Sequence, residues 1–242
     1  MLRTIWFLII LFIFTLFWGL TAIIAGLLGV PNRPGGIYDH CTSDWSATLL
    51  RAAGAPVRTS GRERIPPGGV VFASNHQSWF DIFALAVTIP GQMRFVSKLE
   101  LSRIPVLGRA MRSAGHIFVN RQVRGQAIEA YEDASRAIRA GLSAVVFPEG
   151  TRSGTGDLQP FKKGAFVLAI AAQAPVVPVY CAGTYALLPK GTMRLTPHPI
   201  AVMFGEPIST VGMTYEDRER LMDECRRVVE RLRGESGKVL SA

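Results

Sequence analysis

His76 and Asp81 stand five residues apart in the run Asn75-His76-Gln77-Ser78-Trp79-Phe80-Asp81, and an imidazole held by a carboxylate is suited to taking a proton. On one continuous helix the two would sit roughly 140° apart and could not meet. If Ser78 caps a helix with Asp81 at its third position, the S-x-x-D capping box leaves His76 in the preceding loop, where it can fold back onto the carboxylate. Asp81 then fixes one ring nitrogen and leaves the other free, giving a base and its orienter without a protein nucleophile. Taken alone, the pattern serves equally well to cap and pack a strand-to-helix junction. His40 and Asp44, four apart within one helical stretch, read as an ordinary surface pair.

A second polar cluster follows another apolar run: Phe147, Pro148, Glu149, Gly150, Thr151, Arg152, Ser153. Pro148 ends a strand and Gly150 lets the backbone turn, so the polar side chains emerge at a sheet edge. Arg152 offers a planar fork for phosphate oxygens, while Glu149 can hold a substrate hydroxyl or orient the arginine. A third cluster ends in Asn120 and Arg121. Between Arg94 and Arg124 seven basic residues face the single acid Glu100, with Lys98 and Arg121 at strand ends. No stretch fits the phosphate-loop pattern G-x-x-x-x-G-K-[ST], and no G-x-S-x-G surrounds Ser78, which argues against a hydrolase using Ser78 or Cys181.

Alternating short elements must position these residues. Strands are expected at 70–74, 95–98, 117–120, 144–147, 176–180 and 200–204, and helices at 79–86, 106–113, 125–140, 161–173 and 215–233. The alternation predicts an α/β domain with a mostly parallel sheet flanked by helices, in which ligands gather at the carboxyl ends of the strands.

Composition narrows the class. The chain has 242 residues, 48% hydrophobic and 19% charged, which excludes a disordered tail or a disulfide miniprotein. A net charge of +9 asks for an anionic partner. No recognised nucleic-acid-binding motif is present. Cys41, Cys181 and Cys225 are odd in number, lack metal spacing and read as small buried residues in a reducing compartment.

No charged residue occurs from Thr4 to Asn32, an apolar stretch longer than a signal peptide's and long enough to cross about 30 Å of hydrocarbon. A retained membrane helix is expected. Arg3 precedes it, whereas Arg33, Arg51, Arg58, Arg62 and Arg64 follow, which favours a globular domain facing the cytoplasm. Tyr38 to Ala53 reads as a short helix with Trp45, Leu49 and Leu50 on one side, able to lie against headgroups. Single-pass and monotopic hairpin arrangements are both permitted. The expected organisation is an anchor at 1–35, a membrane-proximal helix and linker at 36–60, and the catalytic domain at 61–242.

His76 with Asp81 in NHQSWFD, the GHIFVNR segment ending at Arg121, FPEGTRS from Phe147 to Ser153, and VVPVY around Pro178 resemble, in order and spacing, the motifs of the glycerolipid acyltransferases. The likeness is greatest to the 1-acylglycerol-3-phosphate acyltransferases and runs over about residues 70 to 185. Asn120 departs from it, standing where these enzymes often carry Asp. The resemblance implies transfer of a fatty acyl group from acyl-CoA or acyl carrier protein to the sn-2 hydroxyl of lysophosphatidic acid, giving phosphatidic acid in phospholipid biosynthesis. It implies His76 as general base, Asp81 as its orienter, Lys98, Arg121 and Arg152 on the glycerol phosphate, and Glu149, Gly150 and Thr151 shaping the acceptor site. Neither metal nor resident cofactor is expected. The implied partners are a lysolipid acceptor, the acyl donor and an anionic membrane surface. Another lysolipid, such as a lyso-ornithine lipid or a lysophospholipid, is the alternative acceptor.

Overall fold

A computed structural model describes residues 2–120 and 123–241. Arg121 therefore lies outside the described residues. The chain opens with two helices, α1 (Leu2–Leu27) and α2 (Ile37–Ala53), and then builds a seven-stranded sheet. The strands are β1 (Val57–Ser60), β2 (Val71–Ser74), β3 (Met93–Lys98), β4 (Ile117–Val119), β5 (Ser143–Val146), β6 (Val176–Ala182) and β7 (Ile200–Phe204). Between and after them come α3 (Phe80–Thr88), α4 (Leu107–Ser113), α5 (Arg124–Arg139), α6 (Gly164–Ala172), α7 (Thr184–Leu187) and α8 (Arg218–Ser241). The sheet order is β1-β7-β6-β2-β5-β3-β4.

The central strands are fully buried because both faces are covered, and their residues alternate between two cores. Val71 and Ala73 point to the side of α6 and α8, with Phe166, Leu168, Leu221 and Val229. Val70 and Phe72 point to the other, with Phe80, Phe83 and Leu49. All pairs from β6 across to β4 are parallel, so Ser74, Lys98, Val119, Val146 and Ala182 all end at one edge.

The sheet is mostly parallel, as expected, while several element bounds need correction. Only β7 runs antiparallel to β6, and β1 joins β7 in parallel, giving the sheet a reversed flank. Because β1 already belongs to the sheet, the expected boundary between residues 60 and 61 falls after the first strand rather than before it. Residues 161–163 are not helical. The N–H of Lys162 donates to the Pro148 carbonyl at 2.8 Å, and α6 starts only at Gly164. The last helix extends past 233 to Ser241 and is preceded by a single 3-10 turn carrying the Thr214–Asp217 capping box.

Of these helices α1 alone is long and apolar enough to cross a membrane among the described residues. One flank, with Phe7, Gly19, Ala22 and Ala25, is buried against the rest of the chain, while Trp6, Ile9, Phe12, Phe17, Leu20 and Ile24 are exposed. Its two ends both touch the rest of the chain. Phe7 meets Phe80 with ring centroids 5.4 Å apart, and Gly26 lies so close to α4 that a Cβ there would stand 2.8 Å from Ser113 Oγ. The apolar side of α2 is turned inward: Leu49 and Leu50 are buried, and Trp45 packs edge-on against Phe83 at 5.1 Å.

A buried polar knot ties this pair of helices to the sheet. Arg94 was expected in a cationic band, but it is 1% exposed and donates to Asp39 Oδ1 at 2.7 Å and Asn32 Oδ1 at 2.6 Å. Breaking a buried ion pair by removing one partner costs about 3–5 kcal/mol, because the other charge remains without compensation. Arg94→Met is therefore expected to lower unfolding stability by that amount. The double variant Arg94→Met/Asp39→Leu should recover much of the loss. Denaturant melts in detergent check both, and a single variant within 1 kcal/mol of the wild type would show that the knot carries no such energy.

Candidate active site

The site forms where β2 ends. Asn75 is buried and continues the sheet with its side chain: Nδ2 donates to the Cys181 carbonyl at 3.0 Å and Oδ1 accepts from the Cys181 N–H at 2.7 Å. This fixes where the chain leaves β2, and hence where His76 begins. His76 Nδ1 lies 2.8 Å from Asp81 Oδ2, and Asp81 is fully buried at the first turn of α3. A carboxylate only accepts, so Nδ1 donates and Nε2 is left with its lone pair, the state required of a base. The ring is nearly parallel to Phe147 at 3.9 Å, which fixes its tilt.

Asp81 holds more than the imidazole. The same Oδ2 accepts the backbone N–H groups of Gln77 at 2.6 Å and Ser78 at 2.8 Å. The expected capping box is thus half made. Asp81 reaches back to the Ser78 N–H, but Ser78 Oγ, while donating to the Leu188 carbonyl at 2.8 Å, accepts the Phe80 N–H at 3.4 Å rather than that of Asp81. His40 and Asp44 are, as read, an exposed helix-surface pair 3.6 Å apart.

The second cluster leaves β5 and interlocks with the first through the backbone. The Gly150 N–H closes a turn onto the Phe147 carbonyl at 3.0 Å, and Gly150 has φ +77°, which a side chain would strain. Glu149 is 3% exposed, and its Oε1 accepts the His76 N–H at 2.9 Å. Its Oε2 accepts from Gln159 Nε2 at 3.0 Å. In turn the Ser153 N–H donates to the His76 carbonyl at 2.7 Å. His76 is thereby gripped at both ends by the Phe147–Ser153 turn. Glu149 is turned to this backbone clamp, and Arg152 leans instead on Trp79, with its guanidinium 4.6 Å from the ring centroid. Partial burial pulls the Arg152 pKa down, opposed by the nearby charge of Asp81.

Lys98 ends β3 and is exposed at this same edge, and Asn120 follows β4. His116, within GHIFVNR, is structural: its Nδ1 accepts the Phe95 N–H at 3.0 Å, and burial beside Arg94 pushes its pKa down to about 3. All three cysteines are buried and free, and burial raises the Cys181 thiol, contrary to what a nucleophile needs. No group of three or more acidic, His or Cys residues suited to a metal ion occurs among the described residues. Sequence reasoning assigned no role to Asn75, Trp79 or Phe147, although all three lie inside the quoted motifs. Gln159 carried no signal.

Burial pushes the Glu149 carboxyl up to about 7, against the opposing hydrogen bonds from His76 and Gln159 and with help from the Asp81 charge. The sign follows from linkage. A raised folded pKa gives a stabilisation fully present below the ordinary 4.5 and lost as pH climbs through about 7. Glu149→Gln should remove that dependence, so the stability difference between the proteins shifts by about 3 kcal/mol in the variant's favour across this window. Paired denaturant melts at both ends of the window measure it, and a constant difference would show that the Glu149 pKa is not raised by folding.

An acyltransferase family model matches residues 56–182. A 1-acyl-sn-glycerol-3-phosphate acyltransferase of Limnanthes alba is 36% identical over 203 residues, covering 82% of this chain and 70% of its own length. One from Cocos nucifera is 35% identical over 179 residues, 74% of this chain and 57% of its own length. The crystal structure of the 1-acyl-sn-glycerophosphate acyltransferase from Thermotoga maritima is similar with a TM-score of 0.81 and 28% identity, over 98% of this chain and 95% of that one.

Proposed function

This chain belongs to the acyltransferase family, and from that premise we propose that it moves a fatty acyl group from acyl-CoA or acyl-ACP to the sn-2 hydroxyl of 1-acyl-glycerol-3-phosphate, forming phosphatidic acid. The observation that carries the reading is the 2.8 Å contact between His76 Nδ1 and Asp81, in a loop whose backbone is bonded to the turn bearing Arg152. That arrangement suits direct transfer. His76 Nε2 takes the proton of the acceptor hydroxyl as its oxygen attacks the thioester carbon. The tetrahedral intermediate then expels the thiolate, which recovers the proton from the imidazolium. No covalent enzyme intermediate is needed, and a positioned base contributes about 10² to 10⁴ in rate. Asp81 stabilises the transient imidazolium.

Lys98, Arg121 and Arg152 are assigned to the acceptor phosphate, with Gly150 and Thr151 shaping its approach. Glu149 acts from behind, setting the His76 backbone. The acceptor resides in a bilayer. The exposed apolar flank of α1, packed lengthwise on the catalytic domain, supports a protein held at the membrane with its site near the headgroup plane. The basic residues after α1 favour the cytoplasmic side.

Purified full-length protein in detergent, given a labelled acyl thioester and a panel of lysolipids, tests the assignment. Transfer to lysophosphatidic acid well above that to lyso-ornithine lipid or lysophosphatidylcholine is expected. Equal transfer to acceptors without a phosphomonoester would overturn it.

A further inference from the structure

Beyond β6 the chain does something no motif announced. The segment 185–190 reaches across to both loops of the site: Leu188 takes the Ser78 hydroxyl, and Tyr185 Oη donates to the Gly154 carbonyl at 3.0 Å. Lys190 ends the segment. Its Nζ donates to the Arg152 carbonyl at 2.9 Å and stands 3.5 Å from Thr151 Oγ1. An ammonium thus sits on the residue whose guanidinium lies over Trp79.

The ammonium of Lys190 is exposed and bound to the backbone of the Arg152 turn, about forty positions earlier, and among the described residues neither Lys190 nor Arg152 forms an ion pair with a carboxylate. An ammonium has three N–H donors. With one on the Arg152 carbonyl and one directed at Thr151, a third remains for a ligand seated there. A phosphomonoester carries a charge of about −1.5 to −2 near neutrality and three acceptor oxygens, so it can take donors from several cations at once. The sheet order places the Arg152 turn after β5, with the exit of β3 and Lys98 on one side and the segment after β6 with Lys190 beyond β2 on the other.

We propose that Lys190 is a binding residue for the phosphomonoester of the acceptor, completing with Arg152 and Thr151 a site open to the phosphate. The inference rests on the acceptor reading above and adds a residue to it. The same chemistry would suit the phosphates of a coenzyme A donor, so the test must separate the two.

The full-length enzyme in detergent is assayed as wild type, Lys190→Met and Lys190→Arg, with thermal melts confirming that each is folded. For Lys190→Met, the KM for lysophosphatidic acid is expected to rise about ten- to a hundredfold with kcat little changed. Lys190→Arg should restore most of the affinity. The KM for the acyl donor, and residual transfer to monoacylglycerol, which lacks the phosphate, should not move. A fall in kcat shared by both acceptors would make Lys190 a loop brace only. A raised donor KM would place it on the other substrate, and an unchanged KM for both would remove it from the site. Any of these overturns the proposal. A wild-type enzyme that leaves lysophosphatidic acid untouched would instead sink the acceptor assignment itself.

Discussion

Replacing His76 by alanine is expected to lower kcat for acyl transfer by about 10² to 10⁴, with little change in the KM for either substrate. The loss falls on kcat because Nε2 acts only while the hydroxyl proton is moving. The fold should survive. His76 is bonded to Glu149 and Ser153 through its backbone N–H and carbonyl, both of which alanine retains. What alanine forfeits is the ring's stack on Phe147 and its bond to Asp81. The Gln77 and Ser78 N–H groups still hold Asp81. Steady-state kinetics beside a thermal melt separate chemistry from folding. A well-folded variant with near wild-type kcat would show that the imidazole is not the base.

The parts of this site that could be read in the sequence are those whose function depends on side-chain type. Imidazole and carboxylate must be His76 and Asp81, a strand must precede them, and the spacing forces the histidine into a loop once a helix starts near Ser78. The parallel sheet and its carboxyl edge followed from the same alternation. What stayed hidden depends on the backbone of distant residues. Lys190 does its work on the main-chain carbonyl of Arg152, and Gln159 joins the carbonyl of Thr151 to the Glu149 carboxylate ten positions away, contacts that no local pattern marks. Arg94 was read as surface charge because Asp39, its partner 55 positions earlier, lies on a helix that sequence alone separates from the sheet. β1 was missed for a similar reason. Val57–Ser60 is only half-buried at an edge, and its alternation is too short to distinguish from a linker.

Asp81→Asn is the sharper test of the pair, because it changes charge with almost no change in shape. Asp81 Oδ2 accepts from the His76 ring and from the Gln77 and Ser78 N–H groups, whereas Oδ1 is buried without a hydrogen-bond partner. An asparagine must therefore put its carbonyl oxygen where Oδ2 was, since an amide NH₂ there would face two backbone donors. Its NH₂ then occupies the unpartnered Oδ1 position, leaving a buried donor unsatisfied at about 1–3 kcal/mol. In that orientation the imidazole keeps its tautomer and Nε2 keeps its lone pair, so substrates should bind with nearly unchanged KM. The imidazolium formed as the acceptor loses its proton, however, no longer has a buried carboxylate 2.8 Å away. A neutral hydrogen bond is roughly half as strong as a charge-assisted one. Turnover is expected to fall by about 10² to 10³, less than a wrong tautomer would cause. Asp81→Ala should do worse on both counts, freeing the ring and two backbone donors together. If Asp81→Asn turned over like the wild type while losing the expected stability, the carboxylate would be holding the loop and not the charge. The chemistry would then have to come from His76 unaided.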